Sequence, residues 1–405
     1  MRKKVLFVIL DGAADDVGNT AFMEAYKPNL DLLTKNGFAG LLENNHGDHP
    51  DSGISNFILL GYTEDEYPGR GYLEALGANL KITPDSIYVR ANFASVEEVV
   101  HDDLKTGTFK PDLIIADRRA GRDNTGLFEM SKCIKEFFID GVRIDFYKSL
   151  GHRGVVAMNS IDLSPDVSDS DPNERGNEVQ QIVPTTSDSK AMKTAAALNK
   201  FSKEVYKILS EHPSNKYRDV PANYILLRSA SQYKYVKSFK DKFGLTGACI
   251  AASPVIKGIA RALEMDVIEI SGATGDLKTN LSEKVLRALD ALKKYDFVIL
   301  HILGADVASH DKHQAQKRLF IEKIDREVFR RIIEYVDFDK NLIAVTSDHV
   351  TSVKTGEHKS GFVPFTIYTR GIKPNEVMKY DERSCKIGPV IHVEDYMEEV
   401  INFEA

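Results

Sequence analysis

The chain has 405 residues, 42% hydrophobic and 28% charged, enough for two or three packed domains and unlike a disordered or fibrous protein. A net charge of −7 argues against a nucleic-acid partner, and no apolar stretch reaches membrane-spanning length. Cys133, Cys249 and Cys385 lie far apart, which argues against a disulfide framework or a zinc ribbon and suits a reducing cytoplasm.

Taken in chain order, the first element is the apolar run KVLFVIL at 4–10. It stops at Asp11 without a cleavage site, so it reads as a buried strand and not as a secretion signal. HPDSGISNFILLGY follows, a polar cluster around Ser52 in front of Ile, Phe and Leu. Asp51 or Ser52 would cap a helix there, and the free amides of a helix N-terminus also favour a phosphoryl group. PGRGYLEALG imitates a dinucleotide-binding motif, but Glu74 replaces its third glycine and no strand precedes it.

Residues 80–160 offer shorter, mixed segments: IYVRANF, DLIIA, VRIDFY and GVVAM. The polar stretch DLSPDVSDSDPNERGNEVQQ comes next, then a helix near 191–209. Its Asp169, Asp171 and Asn173 imitate a calcium loop, which Glu174 and Gln180 break at the turn and closing positions. Beyond it, NYILL (223–227), ACIAA (248–252), DVIEI (266–270), YDFVILHI (295–302) and LIAVTS (342–347) are continuous apolar runs, as strands covered on both faces should be. Between them, NLSEKVLRALDALKK sets Leu281, Val285, Leu289 and Leu292 on one helical stripe behind an Asn280/Glu283 capping box. RLFIEKIDREVFRRIIEYV does the same with Ile321, Ile324, Val328 and Ile332. The fold class is therefore α/β: a mostly parallel sheet flanked by helices, in a core domain of residues 1–75 and 220–405. An inserted α+β domain occupies 76–219.

Residues suited to metal binding cluster at strand ends: Asp11; Asp306 with His310 four residues on; Asp348-His349, followed by His358. In open α/β sheets, ligand sites gather beyond the carboxyl ends of the strands. Mixed Asp and His donors suit Mn²⁺, Zn²⁺ or Co²⁺ better than Ca²⁺ or Mg²⁺. So many donors suit two ions, which can clamp both oxygens of a phosphoryl transfer and lower the pKa of a serine hydroxyl. Each residue also has a plainer explanation. Asp11 could cap a turn, His310 and His313 could sit on a solvated helix face, and His301, inside an apolar run, reads as a core histidine. Ser52 lacks the flanking glycines of a hydrolase elbow, since Pro50 and Ile54 stand there.

Read in order, VILDGAADD, HPDSGISNFILLGY, PGRGYLEALG, VRANFASV, ADRRAGR, GHRGVV, SDSDPNERG, GADVASHDKH and VTSDHVTSVKTGEHKSGFVPF resemble the archaeal-type, cofactor-independent (2,3-bisphosphoglycerate-independent) phosphoglycerate mutases over essentially the whole chain. The resemblance implies an alkaline-phosphatase-like dimetal core with an inserted phosphotransferase domain. It implies interconversion of 3-phosphoglycerate and 2-phosphoglycerate in glycolysis and gluconeogenesis through a phosphoserine at Ser52. Asp11, Ser52, Asp348 and His349 would hold one divalent ion, and Asp306, His310 and His358 the other. Mn²⁺ is the first choice, with Co²⁺ or Zn²⁺ as alternatives and no 2,3-bisphosphoglycerate. Asp117, Arg118, Arg122, His152, Arg153 and Lys257 correspond to substrate-binding positions, and closure of the two domains would exclude water. Asp51-Ser52-Gly53 departs from the family's usual Gly-Ser-Asp, and His358-Lys359-Ser360 from His-Ser-Gly.

The implied protein is a cytoplasmic isomerase acting on a small phosphorylated substrate, with neither nucleic acid nor membrane as partner and with homo-oligomerisation left open. The rival readings are a metal-dependent phosphatase or mutase for another small phosphate ester, and a catalytically silent paralogue.

Overall fold

The computed structural model describes residues 2–44, 51–103 and 108–403, with 100–103 and 108–111 described by backbone alone; His49 and Pro50 of the serine segment lie outside the described residues. The chain divides into two compact units, Met1–Tyr67 with Val236–Ala405, and Pro68–Tyr235. These divisions leave helix Arg70–Gly77 and strand Tyr224–Gln232 in the second unit, whereas boundaries at 75/76 and 219/220 would give the strand and most of the helix to the first.

The first unit is built on an eight-stranded sheet. Its strands run Asp266–Val267, Gly247–Ile250, Phe297–Ile302, Lys4–Leu10, Asn341–Thr346, Gly361–Tyr368, Phe38–Asn44 and Val390–His392 from edge to edge. All run parallel except Gly361–Tyr368, which is antiparallel to both neighbours. Lys4–Leu10 lies in the middle with parallel partners on both sides, and its residues from Val5 onward are buried. That position explains why the run is apolar throughout instead of alternating.

Helices cover the sheet where the periodicity requires. Helix Leu281–Lys294 starts at Asn280, whose side chain accepts from the Glu283 amide at 3.0 Å. The return half of a capping box is not formed, because the Glu283 carboxylate accepts from Arg287 instead. Leu281, Val285 and Leu292 are buried, and Leu289 packs against the same core from a partly buried position. The second striped segment forms helix Gln314–Ile324, a π-helical turn Asp325–Phe329 and helix Arg330–Tyr335. Ile321, Ile324, Val328 and Ile332 all enter the core. The wider turn has a local purpose: Asp325 points inward and accepts from the Leu30 amide at 2.8 Å and the Asn29 side chain at 2.7 Å.

The second unit holds an antiparallel sheet around the long strand Ile87–Asp103. Its first half pairs with Arg153–Asn159 on one side and Tyr224–Gln232 on the other; its second half pairs with Thr108–Asp117. Val142–Lys148 and Glu136–Ile139 complete the sheet. NYILL is thus a buried strand, but of this sheet and not of the first unit's; an apolar run reveals burial without revealing its partner. Helix Ser189–Ser210, capped by Asp188, lays Ala195, Leu198, Phe201, Val205 and Leu209 over the sheet. Among the described residues no helix is long and apolar enough to cross a membrane.

Candidate active site

The carboxyl ends of the first unit's central strands bring together Asp11, Ser52, Asp306, His310, Asp348, His349 and His358. Asp11 follows Lys4–Leu10, and its amide donates to the Ile302 carbonyl of the next strand at 3.0 Å. Asp306 and His310 lie on the short helix Gly304–His310 that follows Phe297–Ile302. Asp348 and His349 follow Asn341–Thr346. His358 opens the strand pair His358–Lys359 with Val350–Thr351, where Thr351 faces it. Sequence separation disappears because adjacent parallel strands end at the same level.

Ser52 is the first residue of helix Ser52–Leu59. The cap is Asp51, whose carboxylate accepts from the Gly53 amide at 2.7 Å, so the serine hydroxyl is not used for capping. Its Oγ lies 3.2 Å from His349 Nε2. That nitrogen is also 3.3 Å from Asp348 Oδ2 and 3.6 Å from Asp11 Oδ1. Asp348 is held from several sides: the Gly12 amide donates to Oδ1 at 3.0 Å, the Asn56 side chain to Oδ2 at 2.6 Å, and the Asn44 side chain to its carbonyl. Asn56 also donates to the Ser52 carbonyl at 2.8 Å, so one amide orients both the serine turn and the carboxylate.

On the other side of His349, Asp306 Oδ2 lies 3.3 Å from His310 Nε2, and Asp306 Oδ1 lies 3.3 Å from His358 Nε2. The Nε2 atoms of His310 and His358 are 3.1 Å apart. His310 Nδ1 donates to the Gly356 carbonyl at 2.6 Å, which turns Nε2 toward Asp306 and His358. The rings of His349 and His358 stack at 3.9 Å.

Two triads of donor atoms fall within 4.8 Å of one another, Asp306–His349–His358 and Asp11–His301–Asp348. His301 is the residue that sequence reasoning assigned to the core. It is fully buried, but its Nε2 lies 3.0 Å from Asp11 Oδ2. Strand register explains this: His301 pairs with Ile9, and the alternation that puts Ile9 on one face brings Asp11 back to it. Burial drives the His301 imidazole down to about 4, and it drives His349 well below the ordinary histidine value, with His358 and His310 adding to the effect. Burial pushes Asp348 upward, aided by the charge of Asp306. Burial also pushes Asp306 upward, but His310 and His358 outweigh it and hold that carboxyl well below the usual range.

This donor set fits divalent cations. Neutral imidazoles offer lone pairs, carboxylates crowd together in a buried place, and two ring nitrogens face each other at a distance that requires a proton or a cation between them. His313, by contrast, is exposed at the start of helix Gln314–Ile324. Lys257, on helix Pro254–Ala262, is paired with Glu269.

The second unit gathers positive charge. His152 is half-buried, and its imidazole is driven well below the ordinary value first by desolvation and then by Arg153, Arg119, Arg90 and Arg122. Arg70 and Arg90 both approach the buried Glu74, at 3.0 and 3.8 Å. Arg90, pushed down to about 9 chiefly by burial, also feels Arg70, Arg153 and Arg228. Asp117 accepts from the amides of Arg119 and Gly121, at 2.7 and 3.1 Å. It thereby shapes a turn in which Ala120, Gly121 and Arg122 have φ of 46°, 65° and 55°. Two non-glycine residues in that region are strained, and the Arg218 guanidinium restrains the turn by donating to the Ala120 carbonyl at 2.7 Å.

Arg118 is oriented differently. Its guanidinium binds Asp171 through Nε at 2.8 Å and Nη2 at 2.7 Å, and Asn173 through Nη1 and Nη2. The polar stretch that imitated a calcium loop thus has its carboxylate satisfied by arginine. Sequence reasoning missed Arg70, Arg90, Arg119 and Arg228. Their signal was the arginine in PGRGYLEALG, VRANF and ADRRAGR, and in the strand after NYILL.

A family model described as 2,3-bisphosphoglycerate-independent phosphoglycerate mutase matches residues 34–215. A protein of that name from Methanopyrus kandleri is 37% identical, covering 96% of this chain and 93% of its own. Another from Methanocaldococcus jannaschii is 36% identical, covering 95% and 93%. Among solved structures, a cofactor-independent phosphoglycerate mutase from Thermoplasma acidophilum is 30% identical with a TM-score of 0.63, covering the whole of both chains. A Pyrococcus horikoshii protein is 27% identical with a TM-score of 0.76, covering 100% of this chain and 99% of its own.

Proposed function

The chain belongs to the 2,3-bisphosphoglycerate-independent phosphoglycerate mutase family, and from that premise we propose that it interconverts 3-phosphoglycerate and 2-phosphoglycerate with Ser52 as the transient phosphoryl carrier. One observation carries the reading: Ser52 Oγ sits at a helix N-terminus, 3.2 Å from His349 Nε2, beside the carboxylates of Asp11 and Asp348. Asp11, Ser52, Asp348 and His349 are the ligands of one divalent ion, and Asp306, His310 and His358 those of the second, with Mn²⁺ preferred and Co²⁺ or Zn²⁺ as alternatives. When bound, such ions neutralise phosphoryl oxygens and lower the pKa of a coordinated hydroxyl.

The chain's own residues do the rest. Asp51 takes over the helix cap and leaves the serine oxygen available. Asn56 fixes the serine turn relative to Asp348. The Ser52 oxygen attacks phosphorus in line; the bond from phosphorus to the glycerate oxygen breaks, and the proton lost by serine balances that oxygen. Attack by the other glycerate hydroxyl on the phosphoserine reverses these changes and yields the isomer. The first amides of helix Ser52–Leu59 favour the negative charge that accumulates there.

Anion recognition falls to the second unit, through Asp117, Arg122, His152 and Arg153 together with Arg90 and Arg119. Guanidinium forks suit both carboxylate and phosphate. Arg118 supports the loop through Asp171, and Lys257 contributes positive charge from the first unit. The enzyme is read as cytoplasmic, in keeping with three free cysteines.

The test is an enolase-coupled assay with and without chelator, on the native chain and on Ser52→Ala. Mutase activity that the chelator abolishes, that Mn²⁺ restores and that Ser52→Ala lacks is the expected result. Release of inorganic phosphate without any 2-phosphoglycerate would replace the mutase by a phosphatase.

A further inference from the structure

Thr351 has no charge, no place in the ligand set above and no exposed surface. Yet its hydroxyl joins the two halves of that set. Thr351 Oγ1 donates to Asp306 Oδ1 at 2.9 Å and lies 3.1 Å from His349 Nδ1. A hydroxyl has one proton, and a carboxylate oxygen accepts it. The remaining contact works only if His349 Nδ1 carries a hydrogen and donates to the Thr351 oxygen. Nε2 then keeps its lone pair, and Nε2 is the atom that faces Ser52, Asp348 and Asp11.

We infer that Thr351 is a positioning residue that fixes His349 as the Nδ1–H tautomer and ties the orientation of its ring to Asp306. The inference rests on the ligand roles of His349 and Asp306 proposed above.

The surroundings hold this hydroxyl in place. The Thr351 amide donates to the Ala14 carbonyl at 3.1 Å, and the Thr351 carbonyl accepts from Lys317 Nζ at 3.1 Å. Lys317 is itself fully buried, with Asp15 Oδ2 at 2.9 Å and the Ala14 carbonyl at 3.1 Å. Gly12 has φ of +57°, and a Cβ there would lie 2.5 Å from both Thr351 Oγ1 and Asp306 Oδ1. The backbone is therefore as close to the hydroxyl and carboxylate as a glycine allows. His310 obtains the same tautomer from a backbone carbonyl. His349 obtains it from a side chain, so the dependence is accessible to substitution. Outer partners of this kind orient ligating histidines, and their loss weakens metal binding about 10- to 100-fold.

The test uses the full chain and two measurements. Histidine ¹⁵N spectra of the metal-free protein, with His349 assigned by the resonance missing from His349→Gln, should show a protonated Nδ1 and a bare Nε2. Calorimetric titration with Mn²⁺ should show binding weakened about 10- to 100-fold in Thr351→Val, and nearly native binding in Thr351→Ser, which keeps the hydroxyl. A proton on Nε2 in the wild-type spectrum overturns the inference without any variant having to fold. Thr351→Val with native tautomer and native affinity, on a background where wild type binds Mn²⁺, overturns it while leaving the ligand assignment standing. A wild-type chain that binds no Mn²⁺ overturns the ligand assignment itself, and this inference with it.

Discussion

His310 and His358 present their Nε2 atoms to each other across 3.1 Å, with Asp306 3.3 Å from each. His310 Nδ1 donates to the Gly356 carbonyl, so the two facing nitrogens have either one shared proton or a cation between them, with the Asp306 carboxylate beside both. A divalent cation takes the place of that proton, and anything that binds only the native state stabilises it by mass action. Saturation with Mn²⁺ at about 100 times its dissociation constant should therefore add about 2.7 kcal/mol to unfolding free energy. Urea unfolding with and without chelator measures it. His310→Ala should lose most of the increment.

Ser52→Ala should lower mutase turnover by at least about 10⁴-fold, the scale seen when a nucleophile is removed. The same variant should unfold within about 0.5 kcal/mol of wild type, because Asp51 and not Ser52 caps the helix. Asp51→Ala should do the reverse for stability, costing about 1 kcal/mol through the lost cap. Parallel denaturation curves and turnover assays on the two variants separate the roles.

The residues at strand ends were legible because chemistry and position coincide there. Asp11, Asp306, Asp348 and His349 each end an apolar run that could only be a strand. His301 was not legible, since an imidazole inside such a run looks like packing until register with Ile9 brings it beside Asp11. Thr351 carries no signature at all; its meaning lies in two distances. The same holds for the fold. Helix Leu281–Lys294 was readable from its stripe and cap. Strand Gly361–Tyr368 was not, because Pro364 interrupts its apolar pattern. Strand Phe38–Asn44 includes Gly40, where a Cβ would lie 2.1 Å from the Pro389 carbonyl, so close approach and not strand propensity chose the residue. Tyr224–Gln232 was recognisable as a strand, but its sheet is decided by pairing with Ile87–Asp103, far away in sequence.

Arg122 and Arg153 contribute to the positive environment that keeps His152 neutral. If that environment binds the substrate's anionic groups, each arginine supplies charge-assisted hydrogen bonds worth about 1.5–3 kcal/mol. Arg122→Ala should raise KM for 3-phosphoglycerate about 10- to 100-fold, with Mn²⁺ affinity unchanged, since the first unit's ligands are untouched. Steady-state kinetics over a range of substrate concentration, alongside calorimetry with Mn²⁺, reads both. Arg118→Ala should differ: it leaves the fully buried carboxylate of Asp171 without its bidentate partner, and so should lower stability before it changes KM.

Lys284 gives the most direct check on the buried electrostatics. It is fully buried on helix Leu281–Lys294, donates to the His301 carbonyl at 3.0 Å, and is driven down to about 8, chiefly by burial. The unfolded chain binds its proton up to the ordinary lysine value of 10.5, whereas the folded chain releases it near 8. Between those limits the unfolded state holds more protons, so unfolding free energy rises with pH, by up to about 1.4 kcal/mol per unit. The contribution is present above 10.5 and is lost as pH falls through 8. At pH 7 the native state carries a charged ammonium with the full cost of its burial, on the order of 3 kcal/mol. Lys284→Met keeps the volume and removes that cost. The chelated variant should therefore be more stable than wild type at pH 7, by about 1–3 kcal/mol once the lost bond to His301 is allowed for, and its stability should climb less steeply between pH 8 and 10.5, where Arg90 and Lys317 still contribute. Urea unfolding across that range decides it: a Lys284→Met chain that is less stable than wild type and keeps the wild-type slope undiminished would show that Lys284 is not responsible.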